Sequence, residues 1–341
     1  MKSILTLFSR KISLVYVVLL SSASSGTTYL YLHQKQYTDE TTSRPANPSS
    51  VQCLYSITRM NGYELIKPLM FVDNTCESES MNRIKQEINV MISSYKSAGM
   101  LTSASVYLKN FNKNEWMSIN ETDKYDPGSM LKVPILIAIL KMSESSPKLL
   151  DKKLTYDREF NTANNPTILG KSIVLGHSYT VRELLTYMIK SSDNSATNLL
   201  NTILDQQVYE KLFTDLGIER PDWKKNTYLI NINDYSKFLR ILYNAGYINK
   251  VNSEYAIELL TTSDFKNGIL KELPKNIQVA HKFGESGNQF EKELHESGII
   301  YLNNLNYLIT IMTKGKDLEK LPEILGQISA RIYQSLSVQP G

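Results

Sequence analysis

Apolar positions recur in two registers along this chain, and the switches between them outline a mixed fold. Met81, Ile84, Ile88 and Met91 fall near helical spacing ahead of Ser-Ala-Gly, which predicts an opening helix. Ser103–Leu108 and Trp116–Ile119 alternate instead, on either side of the Asn112-Lys113-Asn114 turn, and predict two strands joined as a hairpin. Gly128–Leu140 is almost wholly apolar and predicts a helix buried on most sides, bent at Pro134, whose ring removes one helical hydrogen bond. Thr180-Val181-Arg182-Glu183 is a capping box; the helix it opens turns Leu184, Leu185 and Met188 inward and stops near Ser191. Ala196–Leu204 and Asp234–Tyr243 are two further helical stretches. Gln278–Phe283, Gly298–Leu302 and Tyr307–Met312 predict three late strands. The stripe Leu321, Ile324, Leu325, Ile328 and Ile332 predicts a closing helix over Leu318–Leu336. Strands at both ends with helices between them predict an α+β fold: an antiparallel sheet of early and late strands, flanked by terminal helices, beside a mostly helical subdomain.

The pattern at the N-terminus is of another kind. Lys2, Arg10 and Lys11 precede an uncharged run from Ile12 to Leu32 whose apolar heart is Leu14–Leu20, the composition of an export segment. It reads as a signal peptide or as a single transmembrane anchor, and the length of the run through Tyr29–Leu32 favours the anchor. The basic flank places the N-terminus inside and the bulk of the chain outside. The expected location is therefore exported: the outer face of the cytoplasmic membrane, the periplasm or the extracellular space. Gln34–Ser50, rich in Thr, Ser, Pro and Asn, reads as a linker. The expected organisation is residues 1–33 as signal or anchor, 34–80 as linker and N-terminal extension, and 81–341 as the working domain. Cys53 and Cys76 are the only cysteines; outside the cell they form one disulfide or stay as two buried thiols.

Composition removes several classes of function. In 341 residues, 42% hydrophobic and 21% charged are globular values. The net charge of +4 is scattered and forms no cluster that could follow a phosphate backbone, so no nucleic-acid partner is expected. His33, His177, His281 and His295 lie far apart without metal-binding spacing; no metal and no cofactor are expected, and the chain is read as a monomer. The 21 tyrosines are dispersed and suggest packing.

Ser129-Met130-Leu131-Lys132 sets a hydroxyl and an amine one helical turn apart on the same face. A lysine held among apolar residues loses solvation of its charged form, so its neutral amine can act as a base toward the serine. Ser93 to Lys96, Ser145 to Lys148 and Ser263 to Lys266 share the spacing, but only Ser129 follows Pro-Gly at the mouth of a buried helix, where amide dipoles favour developing negative charge. Ser192-Asp193-Asn194 then offers a hydroxyl to relay a proton and an amide for a substrate amide. Lys282-Phe283-Gly284 offers a cation for a carboxylate and a glycine that permits close approach to a strand.

Together and in this order, S-x-x-K, S-D-N and K-x-G resemble the class A β-lactamase and penicillin-binding serine hydrolase family, over roughly Met81–Leu336. The resemblance implies an antiparallel sheet carrying the K-x-G strand, a helical subdomain carrying S-D-N, and a cleft between them. It implies Ser129 as acylated nucleophile, Lys132 as its activator and Ser192 as proton relay. Asn194 and Lys282 become substrate ligands, and the backbone N–H groups of Ser129 and Glu285, beside Gly284, become the oxyanion hole. Two departures stand out. Phe283 replaces the hydroxyl residue of the third motif, and no E-x-x-L-N follows S-D-N, where Glu219 and Asp222 read as surface charge. The expected function is opening of β-lactam amides through a Ser129 acyl-enzyme, with slow deacylation. The alternatives are a D-alanyl-D-alanine peptidase acting on peptidoglycan and a non-catalytic envelope binding module. The expected partners are a β-lactam or a D-Ala-D-Ala peptide, and the membrane through the N-terminal segment.

Overall fold

In the computed structural model, which describes residues 53–160, 171–222, 227–302 and 305–337, five strands make a fully antiparallel central sheet. They are β3 (Ser103–Asn110), β4 (Glu115–Ile119), β9 (Gln278–Gly287), β10 (Lys292–Leu302) and β11 (Leu305–Gly315), in the order β4-β3-β11-β10-β9; the short strands β5 (Lys124–Tyr125) and β8 (Ile230–Asn231), and β6 (Lys153–Thr155) and β7 (Ser178–Thr180), pair apart from it. The early hairpin thus joins the late meander through β3 and β11, as the alternation at both ends of the domain implies. Within the sheet, alternation sorts side chains by face. Val106, Leu108, Leu294, Ile300, Ile309 and Ile311 share one core with α1 (Asn82–Ser97) and the closing helix α8 (Leu321–Ser337). Tyr107, Ala280, Ile299, Leu308 and Met312 share the other with α2 (Lys132–Ser145), α3 (Val181–Lys190), α4 (Asn194–Asn201), α5 (Gln206–Asp215), α6 (Ile232–Tyr243) and α7 (Lys250–Thr261). The α+β architecture expected from the pattern is the one observed.

The differences have local causes. The helix expected from Gly128 begins as a 3₁₀ turn, Gly128–Leu131, and becomes α-helical only at Lys132. Pro134 therefore lies in the first α-helical turn, where a missing N–H leaves no bond unmade, and the bend expected there loses its cause. Strand β10 starts at Lys292, six residues before the apolar run that announced it, because Glu293, His295, Glu296 and Ser297 are buried and polar at once. Helices α5 and α7 and the hairpin of β1 (Tyr55–Arg59) with β2 (Leu69–Asn74) were not indicated by the hydrophobic pattern. A Cys53–Cys76 disulfide closes that hairpin at its open end, which settles the pairing that composition left open. The predicted export segment and the Gln34–Ser50 linker lie outside the described residues. Among the described residues, no helix is long and apolar enough to cross a membrane.

Candidate active site

The turn before Ser129 is held from three directions. Gly128 has φ +50°, and a Cβ there would stand 2.3 Å from the backbone oxygen of Glu285 on β9, so only glycine lets the turn and the strand approach this closely. Gly284 repeats the constraint from the strand side, since its Cβ would fall 2.1 Å from the carbonyl oxygen of Pro127. The third restraint is a pair of buried side chains on β10. The Glu293 carboxylate accepts from Asp126 N–H at 3.1 Å, while His295 Nε2 lies 3.0 Å from Asp126 O. Thr313 N–H donates to His295 Nδ1, an arrangement that assigns the ring hydrogen to Nε2 and makes the contact with Asp126 O a donated bond. Asp126 in turn accepts Gly128 N–H through its own side chain at 3.1 Å. Burial pushes the Glu293 carboxyl up, but the His295 hydrogen bond and the nearby Lys314 cation hold it below its ordinary value.

This clamp has no signature in the sequence beyond two polar residues within a strand. His295 grips the main chain 169 residues away. Glu293→Ala is expected to leave a buried N–H unpaired, destabilising the domain by ~1–3 kcal/mol and slowing labelling of Ser129 by ~10-fold or more. Glu293→Gln keeps an acceptor and is expected to restore the labelling rate, measured with a fluorescent penicillin; equal loss in both variants would contradict the clamp.

Lys132 opens α2 with only 4% of its surface exposed. Its Nζ is 3.0 Å from Ser129 Oγ, 2.5 Å from Ser192 O, 3.1 Å from Ser192 Oγ and 2.7 Å from Asn194 Oδ1. Burial lowers its pKa to about 7, against which the charge of Asp193 acts. The neutral amine suits this shell: its two hydrogens serve the two oxygens that can only accept, Ser192 O and Asn194 Oδ1, and its lone pair is left for the Ser129 hydroxyl. In the other three Ser-x-x-Lys matches, Lys96, Lys148 and Lys266 are exposed, so burial of the amine separates the working pair from its look-alikes.

Ser192 is brought in by a strained turn. It sits at φ +55° between the C-terminus of α3 and the Asp193 N-cap of α4, a left-handed conformation that aims both its carbonyl and its hydroxyl at Lys132. Asp193 fixes the turn by accepting from Ser195 N, Ile173 N and Ser172 Oγ. Lys282, fully buried on β9, reaches the same hydroxyl at 2.9 Å and donates to its neighbour Phe283 O at 3.0 Å. Its pKa is well below the ordinary lysine value because of burial and the nearby Lys132 charge, with Glu296 acting in the opposite sense. One hydroxyl thus bridges two lysines.

The remaining sequence-predicted positions fall as follows. Glu285, half-buried, presses its main chain against the Ser129 turn. Phe283 does not take up a substrate-facing role; its ring is buried and stacks on Phe265 at 4.3 Å between centroids. Glu219 is 74% exposed and pairs with Lys124, and Asp222 is also exposed, so both behave as surface charge.

A family model described as the beta-lactamase enzyme family matches residues 83–336. The chain belongs to that family. It is a serine hydrolase, and the match spans every part of the constellation from Ser129 to Glu285. Beta-lactamase VEB-1 of Pseudomonas aeruginosa is 24% identical over 240 residues, 64% of this chain and 80% of that protein. The fold is that of PBP-A (TM-score 0.63, 19% identity, 77% of this chain and 99% of that one), a variant of which is known as an acyl-enzyme complex with penicillin G. It is also that of a class A beta-lactamase from Mycobacterium abscessus (TM-score 0.62, 19% identity, 74% and 100%). Of the two sequence departures, the Phe283 ring is buried against Phe265 with Lys282 Nζ 4.2 Å from its centroid, and Glu219 lies exposed beside Lys124.

Proposed function

We propose that this enzyme opens the amide of β-lactams by forming an acyl-enzyme at Ser129 and releases that adduct slowly. The observation that carries the reading is the shared hydroxyl of Ser192, within 3.1 Å of Lys132 and 2.9 Å of Lys282, with Ser129 on the far side of Lys132. Neutral Lys132 takes the Ser129 proton as Oγ attacks the carbonyl carbon; the oxyanion meets the backbone N–H groups of Ser129 and Glu285. The C–N bond then breaks, and the leaving nitrogen takes a proton from Ser192 Oγ, which Lys132 replaces. Protonated Lys282 binds the substrate carboxylate, with Asn194 beside the side-chain amide.

Slow release follows from what surrounds the ester. Hydrolysis needs a base to activate water, and the carboxylates after S-D-N that could have served, Glu219 and Asp222, face solvent. The same feature favours a second reading, a D-alanyl-D-alanine peptidase, in which a peptide is the natural acyl donor. No observation favours a non-catalytic envelope module. The Cys53–Cys76 disulfide supports an exported, oxidising location for the chain.

Intact-protein mass spectrometry after mixing with penicillin G is expected to show a persistent adduct of one penicillin mass in the wild type and none in Ser129→Ala. An adduct that survives the substitution overturns the assignment of Ser129. An adduct that decays within seconds overturns slow release. Turnover of a D-Ala-D-Ala peptide selects the peptidase.

A further inference from the structure

A second cluster of buried charge lies far from Ser129. Between β2, β3 and α6 there is a cavity of about 430 Å³ whose lining includes Lys109 and Arg240. Their side chains are 3% and 6% exposed, and the carboxylate paired with them is Asp73. Arg240 Nη2 holds Asp73 Oδ1 at 2.5 Å and stands over the Phe71 ring at 4.3 Å. Lys109 shares the same oxygen at the longer distance of 3.6 Å and donates to Asn114 O at 3.4 Å. Two buried cations against one carboxylate leave an excess of one positive charge in a place where charge is costly.

We propose that this cavity is a binding site for a small organic anion, a carboxylate on a flat or apolar body, taken up by Lys109 beside Arg240. The walls suit such a body: Phe111 and Tyr243 stack face to face at 3.8 Å, 10° from parallel, and Leu69 completes the apolar side. A ligand carboxylate supplies Lys109 with an acceptor closer than Asn114 O and Asp73 Oδ1 and cancels the surplus charge. Burial and the Arg240 charge depress Lys109 to about 8 while Asp73 resists, so a second anion beside it acts in the same sense as Asp73 and favours the charged form. β3 is three strands away from β9, roughly 15 Å across the sheet, so the site is independent of the Ser129 chemistry and does not rest on it.

Calorimetric titration of the full chain with benzoate, and with benzamide as a neutral isostere, tests the proposal. Benzoate is expected to bind saturably and benzamide not. Lys109→Met is expected to weaken benzoate by ~10-fold or more. Lys282→Met, which removes the carboxylate anchor of the Ser129 site, is expected to leave the Lys109-dependent part of benzoate binding in place. Equal binding of benzamide, loss in Lys282→Met with retention in Lys109→Met, or no saturation by ~10 mM overturns the site. Should Lys109→Met fail to fold, the two ligands on the wild type and on Lys282→Met decide the question without it.

Discussion

Replacing Lys132 by methionine lowers the rate of acylation by a β-lactam by ~10²–10⁴-fold, the range lost with a positioned base, while the fold persists. Methionine keeps the unbranched apolar stem of lysine among the buried residues of α2 and omits the terminal nitrogen, so the loss falls on the amine. The wild-type pH profile gives the independent readout. An ammonium at 132 donates to Ser129 and cannot take its proton; the neutral amine can. With the Lys132 pKa near 7, the acylation rate rises as pH increases through about 7 and then levels. When Lys132 gives up its charge, the repulsion that helped depress Lys282 is removed, so Lys282 holds its own proton more firmly and remains a cation for the substrate carboxylate. Stopped-flow or quench measurement of adduct formation between pH 5 and 9 checks both statements. A flat profile in the wild type, or a methionine variant that acylates at the native rate, removes Lys132 from the mechanism.

Gly284→Ala is expected to be nearly as damaging, for a reason that involves no chemistry. Its added methyl group falls 2.1 Å from Pro127 O, 2.8 Å from Met130 Cγ and 2.9 Å from Met130 N. Two of those atoms are backbone, so the strand and the turn bearing Ser129 must part. Overpacking of this kind costs about 1–3 kcal/mol, and displacement of the nucleophile by ~1 Å lowers acylation by ~10²-fold. Thermal unfolding and the rate of penicillin labelling measure the two effects separately. A variant with native melting temperature and native labelling would show that the turn has slack, contrary to the contacts.

The legibility of this molecule in its sequence follows the distance over which each feature is encoded. Ser129 and Lys132 lie three residues apart, and the SDN and KFG segments are each contiguous, so all three could be read directly. Their convergence on the Ser192 hydroxyl could be inferred only because the three occur together. The capping box at Thr180 and Glu183 was equally local, and it is present as read, with both reciprocal hydrogen bonds. The clamp on Asp126 was not legible: side chains at 293 and 295 bind a main-chain N–H and C=O, and a main-chain group looks alike at every position. The first half of β10 was hidden for a related reason. Glu293, His295 and Glu296 look like a solvent-facing segment until their buried partners are known, among them His281 Nδ1 at 2.6 Å from Glu296. Phe283 was legible as an oddity, but its explanation, a stacking partner at Phe265, needed the fold.

The hairpin of β1 and β2 carries Asp73, the counter-charge of Arg240 and Lys109, and the bond between Cys53 and Cys76 fastens that hairpin's open end. The charge balance inside the domain is therefore tied to the thiol chemistry of its surroundings. In a reducing milieu the clasp opens and the strand is freer to lift its carboxylate away, leaving a guanidinium and an ammonium confronting one another across an unneutralised interior.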